Sequence, residues 1–111
     1  MKKANTVKEN REFRYIYRRA KNYTGALLVS YILTKSNNGA VRYGITVSKK
    51  TGNAVRRNRA KRVIRAAFDE IKKDICCGCD IIFVARTKTS YAKSTQVAKV
   101  MREQFIKAGI I

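Results

Sequence analysis

The segment spanning residues 47–68, VSKKTGNAVRRNRAKRVIRAAF, constrains this chain more than any other. From Lys49 to Arg65 it carries eight Lys or Arg in seventeen residues and not one acid. Threaded through those cations is an apolar stripe, Ala60, Val63, Ile64, Ala67, Phe68 and Ile71. Its i, i+3, i+4 spacing is that of a helix burying one side. The stripe demands a core, which a floppy basic tail would not have. At about 100° per residue, Arg57, Lys61, Arg65, Asn58 and Arg62 share the face opposite the stripe, with Arg59 on its flank. A merely solvated face would mix its signs, and cations one turn apart repel. This face therefore reads as a surface built for a polyanion.

The rest of the chain sharpens that reading. Net charge is +19 over 111 residues, and a polyanionic partner relieves such self-repulsion. Between Phe13 and Phe68 there are fourteen Lys or Arg and no Asp or Glu, so all seven acids lie outside that block. A one-signed half of a chain is the electrostatic footprint of nucleic-acid binding. The length suits a single domain, residues 1–111, and 45% hydrophobic content argues against disorder. No apolar run approaches the roughly 18 residues of a membrane span. The opening MKKANTVKENREF lacks an apolar core, so no signal peptide is expected.

Periodicity outlines an α+β domain. Thr6 and Glu9 have capping-box spacing, and Phe13, Ile16, Tyr17 and Ala20 follow at helical intervals. A first helix is expected over about residues 7–20. Residues 27–34 and 41–48 read as strands joined by a turn at Ser36, Asn37, Asn38 and Gly39, hence as a hairpin. In the second, Val41, Tyr43, Ile45 and Val47 alternate with Arg42, Gly44 and Thr46. The long basic helix is expected over about residues 53–74. A third strand follows over 80–86. A last helix starts near Ser90 or Ser94 and stops at Gly109, with Val97, Met101 and Phe105 inward. This order predicts a mixed sheet covered by helices.

Three further features bear on chemistry. Lys49, Lys50 and Asn53 lie on the loop entering the basic helix, where free N–H groups and cations suit phosphate. Phe13 and Tyr17 lie one turn apart on the first helix, and Tyr31 sits on the first long strand. These three rings either line a groove for unstacked bases or pack as ordinary core. Tyr rather than Phe at 17 and 31 favours partial exposure. Cys76, Cys77 and Cys79 suit neither a disulfide framework nor a four-ligand zinc site, and the chain has no His. They read as reduced thiols in a turn before a strand.

Protein-catalysed RNA cleavage usually needs a His pair or clustered carboxylates holding metal. Only Glu70 and Asp74 share a helical face at i, i+4, among Lys72 and Lys73. The residues thus argue against a catalytic centre in this chain. They leave open a plain RNA-binding or ribosomal-type protein. A DNA-reading helix-turn-helix fits less well, because strands flank the basic helix.

The segment RYGITVSKKTGNAVRRNRAKRVIRAAF resembles the signature of the bacterial ribonuclease P protein subunit family, with Arg57-Asn58-Arg59 as its RNR core. VKENREFRYIY is similar to that family's opening helix. The resemblance covers nearly the whole chain. It implies an α-β-β-β-α-β-α sandwich like the second domain of ribosomal protein S5. Within it are a mixed sheet, a left-handed βαβ crossover against the usual hand, and a short strand near residues 21–23. It implies a cytoplasmic protein that assists a catalytic RNA in Mg²⁺-dependent removal of the 5′ leader from precursor tRNA. Mg²⁺ would act with the RNA and substrate, none held tightly by the chain. Arg57, Asn58, Arg59, Lys61, Arg62, Arg65, Lys49, Lys50 and Asn53 would contact that RNA. Phe13, Tyr17 and Tyr31 would form the leader cleft. Neither DNA nor membrane is an expected partner. The CCGC run is not part of the resemblance, and the chain stops at Ile111 without a basic tail.

Overall fold

The computed structural model describes residues 4–35 and 39–111, so the expected turn at Ser36, Asn37 and Asn38 lies outside the described residues. Five strands form one mixed sheet: β1 (Ala4–Thr6), β2 (Lys21–Thr24), β3 (Leu28–Thr34), β4 (Val41–Thr46) and β5 (Cys79–Ala85). Three helices accompany them: α1 (Asn10–Arg19), α2 (Ala54–Ile71) and α3 (Ser94–Ala108). The order across the sheet is β1-β4-β5-β3-β2. β1 and β5 flank β4 in parallel, while β3 is antiparallel to both β5 and β2.

The expected hairpin between the second and third long segments does not form, because β5 lies between β3 and β4. The reason is hydrophobicity. β5 is buried at every position but Val84, so its lowest free energy is at the sheet centre, covered on both faces. The chain between β3 and β4 then crosses two ladder spacings, about 10 Å, which six residues span easily.

Strand alternation sorts the sheet into two cores. Leu28, Ile32, Val41, Ile81 and Phe83 face α2 and α3, meeting Ala60, Val63, Ile64, Ala67, Phe68 and Ile71 of α2 and Val97, Met101 and Phe105 of α3. The predicted stripe of α2 is therefore its buried side, residue for residue. On the opposite face Ile82, with Tyr31, Leu33 and Val84, packs under α1 against Ile16, Phe13 and Tyr17. The polar set of β4, Arg42, Gly44 and Thr46, faces this second layer, Gly44 buried and Arg42 and Thr46 half-buried.

Helix starts follow local chemistry where tertiary pairing does not intervene. Asn53 caps α2, its side chain accepting from the Arg56 N–H at 3.0 Å. Gly52 precedes it at φ 135°, a conformation that favours glycine. The expected Thr6–Glu9 capping box is absent. Thr6 belongs to β1, and α1 begins at Asn10 behind Glu9, whose side chain caps nothing. Pairing with β4 satisfies this backbone instead, including Val7 N–H to the Tyr43 carbonyl at 2.7 Å. It also covers what would be an open edge of β4. α3 starts at the later of its two expected positions, Ser94, because Thr87–Tyr91 forms a separate 3-10 turn. Thr89 holds that turn, accepting from Arg86 N–H at 2.8 Å and donating to the Leu27 carbonyl at 2.7 Å. Of the cysteines, Cys76 and Cys77 lie in the turn before β5, as expected, whereas Cys79 opens the strand itself; Cys76 is exposed, and Cys77 and Cys79 are buried in the core.

Candidate nucleic-acid interface

The outer face of α2 carries the predicted cations. Asn58, Arg59, Lys61, Arg62 and Arg65 are exposed, as are Lys49 and Lys50 in a 3-10 turn (Lys49–Thr51) upstream. Among the described residues none of the cations from Lys49 to Arg65 forms an ion pair. Their repulsion is left for a polyanion to relieve.

Two residues depart from the simple wheel. Arg57 is half-buried, with an Nε atom that is shielded from solvent and meets no hydrogen-bond partner among the described residues. Arg59, on the expected flank, leans onto the Thr87–Tyr91 turn and donates to the Ser90 carbonyl at 2.7 Å. Asn53 is spent largely on its cap. Sequence reasoning also missed Arg56 and Tyr91, whose guanidinium and ring stack at 4.1 Å. An open groove of about 330 Å³ runs between α2 and the start of α3, lined by Arg59, Arg62, Val63, Ala66, Ala92, Lys93 and Ser94.

The second surface lies on the other side of the sheet. Phe13, Tyr17 and Tyr31 come together there, packed against the second core and all half-buried, none of them sealed from solvent. The Phe13 and Tyr17 centroids are 6.5 Å apart, and Tyr17 meets Tyr31 edge-on at 4.7 Å and 87°. A groove of about 440 Å³ opens beside them, lined by Asn10, Phe13, Arg14, Tyr17 and Thr46. Farther along the same sheet face, Val29 and Val84 pair across β3 and β5 and line a separate, smaller depression with Lys50 and Arg86. Val29 shares its side of β3 with Tyr31 and Leu33 by alternation; Arg86 carries no such signal.

β4 holds α1 in place through three successive residues on one face. Arg42 pairs with Glu12. Gly44 seats the Phe13 ring: a Cβ there would come within 2.6 Å of Phe13 Cζ. Thr46 and Tyr17 share a hydroxyl contact at 3.3 Å. Arg42 is itself anchored to the fully buried Asp80 of β5 by two hydrogen bonds of 3.0 and 2.9 Å, and Lys35 adds a third cation–carboxylate contact at 2.9 Å. Burial, the largest single influence, pushes the Asp80 carboxyl up. The hydrogen bonds and charges of Arg42 and Lys35 together outweigh it and hold the group below its ordinary range. The Asp80 hydrogen bonds, the largest influence on Arg42, hold that guanidinium even more firmly charged than usual, against its burial.

Among the described residues no three His, Cys, Asp or Glu side chains converge to hold a metal ion, and no helix is long and apolar enough to cross a membrane. The acids instead engage cations: Glu9, Glu12, Asp69, Asp74 and Asp80 all sit in ion pairs.

A basic α+β domain with a cationic helix on one side of its sheet and a half-exposed aromatic groove on the other is built as a nucleic-acid-binding protein. Its relatives make the class specific. Residues 1–109 match the family model for ribonuclease P. The ribonuclease P protein component of Clostridium botulinum is 38% identical over 109 residues, 97% of each chain. That of Oceanobacillus iheyensis is 35% identical over 111 residues, 100% of this chain and 92% of the relative. In three dimensions the chain superimposes on the Staphylococcus aureus RNase P protein with a TM-score of 0.81 at 33% identity, covering 97% and 98% of the two chains. The Thermotoga maritima RNase P protein gives 0.75 at 27% identity, covering 89% and 93%. The chain belongs to the bacterial ribonuclease P protein family. Its role in tRNA processing, as a component of an endoribonuclease holoenzyme, follows from that membership.

Proposed function

We propose that this chain binds the catalytic RNA of ribonuclease P through the outer face of α2 and the loop before it, and binds the single-stranded 5′ leader of precursor tRNA in the groove under α1. One observation carries the reading: the unpaired cations of α2 and the aromatic groove lie on opposite sides of one sheet, so two RNAs can be held at once. Lys49, Lys50, Asn58, Lys61, Arg62 and Arg65 supply the exposed contacts to the catalytic RNA, with Arg59 at the margin nearest the Thr87–Tyr91 turn and Arg57 half-buried. Phe13, Tyr17 and Tyr31 offer ring faces and edges to unstacked bases.

The chemistry is assigned to the RNA. Five of the seven carboxylates, Glu9, Glu12, Asp69, Asp74 and Asp80, are paired with cations, and among the described residues no three acids converge to hold a metal. Mg²⁺ is proposed to act within the RNA and at the substrate phosphates, in the cytoplasm. The protein's part is to offset phosphate repulsion between two RNAs and to hold the leader.

Mixing purified chain, a bacterial ribonuclease P RNA and labelled precursor tRNA at low Mg²⁺ tests this. Leader release is expected from the mixture and from neither component alone. Release by rigorously RNA-free protein would overturn the division of labour.

A further inference from the structure

The charges of α1 are not all used by the fold. Glu9 pairs with Arg11 at 2.7 Å, and Glu12 pairs with Arg42. Arg19 stacks over the Tyr15 ring at 4.1 Å. Arg14 and Arg18 remain. Both are exposed, and among the described residues neither forms an ion pair. They stand at i and i+4, where like charges destabilise a helix. Arg18, in the last turn, gains from the helix dipole, but among the described residues no acid pairs with either arginine.

Their placement is informative. Phe13 and Tyr17 are also at i and i+4, and Arg14 and Arg18 each follow a ring by one residue, about 100° around the helix. Helix α1 thus carries a row of rings turned to the sheet and, beside it, a row of cations at the outer lip, spaced about 6 Å along the axis. Arg14 itself lines the groove, whose other polar lining residues, Asn10 and Thr46, are uncharged.

We propose that Arg14 and Arg18 form a phosphate rail, binding the phosphodiester backbone of a single strand whose bases stack on Phe13, Tyr17 and Tyr31. The proposal rests on the groove being the leader site. Stacking alone is sequence-tolerant and does not say on which side the backbone runs. Cations on one lip only decide it: phosphates lie along the outside of α1 and bases turn in toward the sheet. A duplex, with its bases paired, cannot adopt that arrangement.

The test uses holoenzyme reconstituted with a ribonuclease P RNA and measures affinity for precursor and mature tRNA across a salt series. Arg14→Gln and Arg18→Gln should each flatten the salt dependence for precursor by about 0.7 in log–log slope, the value for a single-strand phosphate contact. The mature-tRNA slope should stay, and Arg14→Lys and Arg18→Lys should keep the parent slope. In a second arm, a precursor with neutral methylphosphonate linkages in its leader should lose at least the sum of the two, about 1.4 in slope, with the parent protein. The Gln variants should then add no further loss. Unchanged precursor slopes in the Gln variants overturn the rail but leave the leader site standing, provided the parent still prefers precursor to mature tRNA. Equal losses on mature tRNA would place these arginines against another part of the complex and also overturn the rail. A parent holoenzyme with no preference for precursor would overturn both readings.

Discussion

At the scale of single residues, Gly44 shows how an absent side chain shapes the site. Phe13 lies where a Cβ at position 44 would be, 2.6 Å from its Cζ. The ring is half-buried, so it has room to swing toward solvent. Gly44→Ala should therefore cost little stability, under about 1 kcal/mol, because a flexible ring end yields where a packed core could not. The displaced ring should no longer form the groove wall. Holoenzyme affinity for precursor tRNA is expected to fall several-fold, while affinity for the catalytic RNA stays. Thermal melting and filter binding check both halves. Unchanged precursor affinity would mean the ring does not serve the groove. Sequence alternation places Gly44 on the polar side of β4 but says nothing of the ring above it, since that contact joins residues thirty-one apart. The buried Nε of Arg57 was illegible for the same reason.

At the scale of elements, periodicity was a good guide wherever an element's own pattern decides its place. The stripe of α2, the inward residues of α3 and the Gly109 stop all appear as read. The misreadings share one cause. β1, the missing hairpin and the absent Thr6–Glu9 box each turn on which strand pairs with which, and that is settled by competition for the sheet centre and edge. The short strand β2 (Lys21–Thr24) has no hydrophobic pattern of its own, and only the family resemblance pointed to it. The Asp80 cluster likewise joins residues from α1, β4 and β5 that no local window contains. Its effect on stability has a definite sign. A carboxyl held low in the fold stabilises above its unfolded value of about 3.9, and that contribution is lost as pH falls through the folded value. Asp80→Asn should cost on the order of 2 kcal/mol at neutral pH. This is less than for a wholly buried pair, because the Arg42 and Lys35 side chains keep 30% and 40% of their exposure. Acid titration of the melting temperature should show a steeper fall below about pH 4 in the parent than in Asp80→Asn. Parallel curves would contradict the cluster's role.

At the scale of the whole molecule, the sheet is a partition. Its α2–α3 side carries most of the core and, beyond it, an uncompensated cationic face. Its α1 side is thinner, and that thinness leaves the aromatic rings half-exposed over the strands. A chain of +19 folds because repulsion is spread over these outer surfaces, while all the ion pairs of the described residues lie outside the basic segment. The central claim is that the two sides serve two different RNAs. The most direct measurement compares Arg62→Ala with Tyr17→Ala and Tyr31→Ala against three ligands: the catalytic RNA, precursor tRNA and mature tRNA, the last two bound to holoenzyme. After normal melting is confirmed, Arg62→Ala should weaken catalytic-RNA binding and flatten its salt dependence by about one unit. The Tyr variants should leave that binding alone and weaken precursor binding by about 1–3 kcal/mol, with mature tRNA scarcely affected. If the Tyr variants weaken precursor and mature tRNA equally, or Arg62→Ala leaves the catalytic-RNA salt dependence unchanged, the assignment of one side to each RNA is wrong.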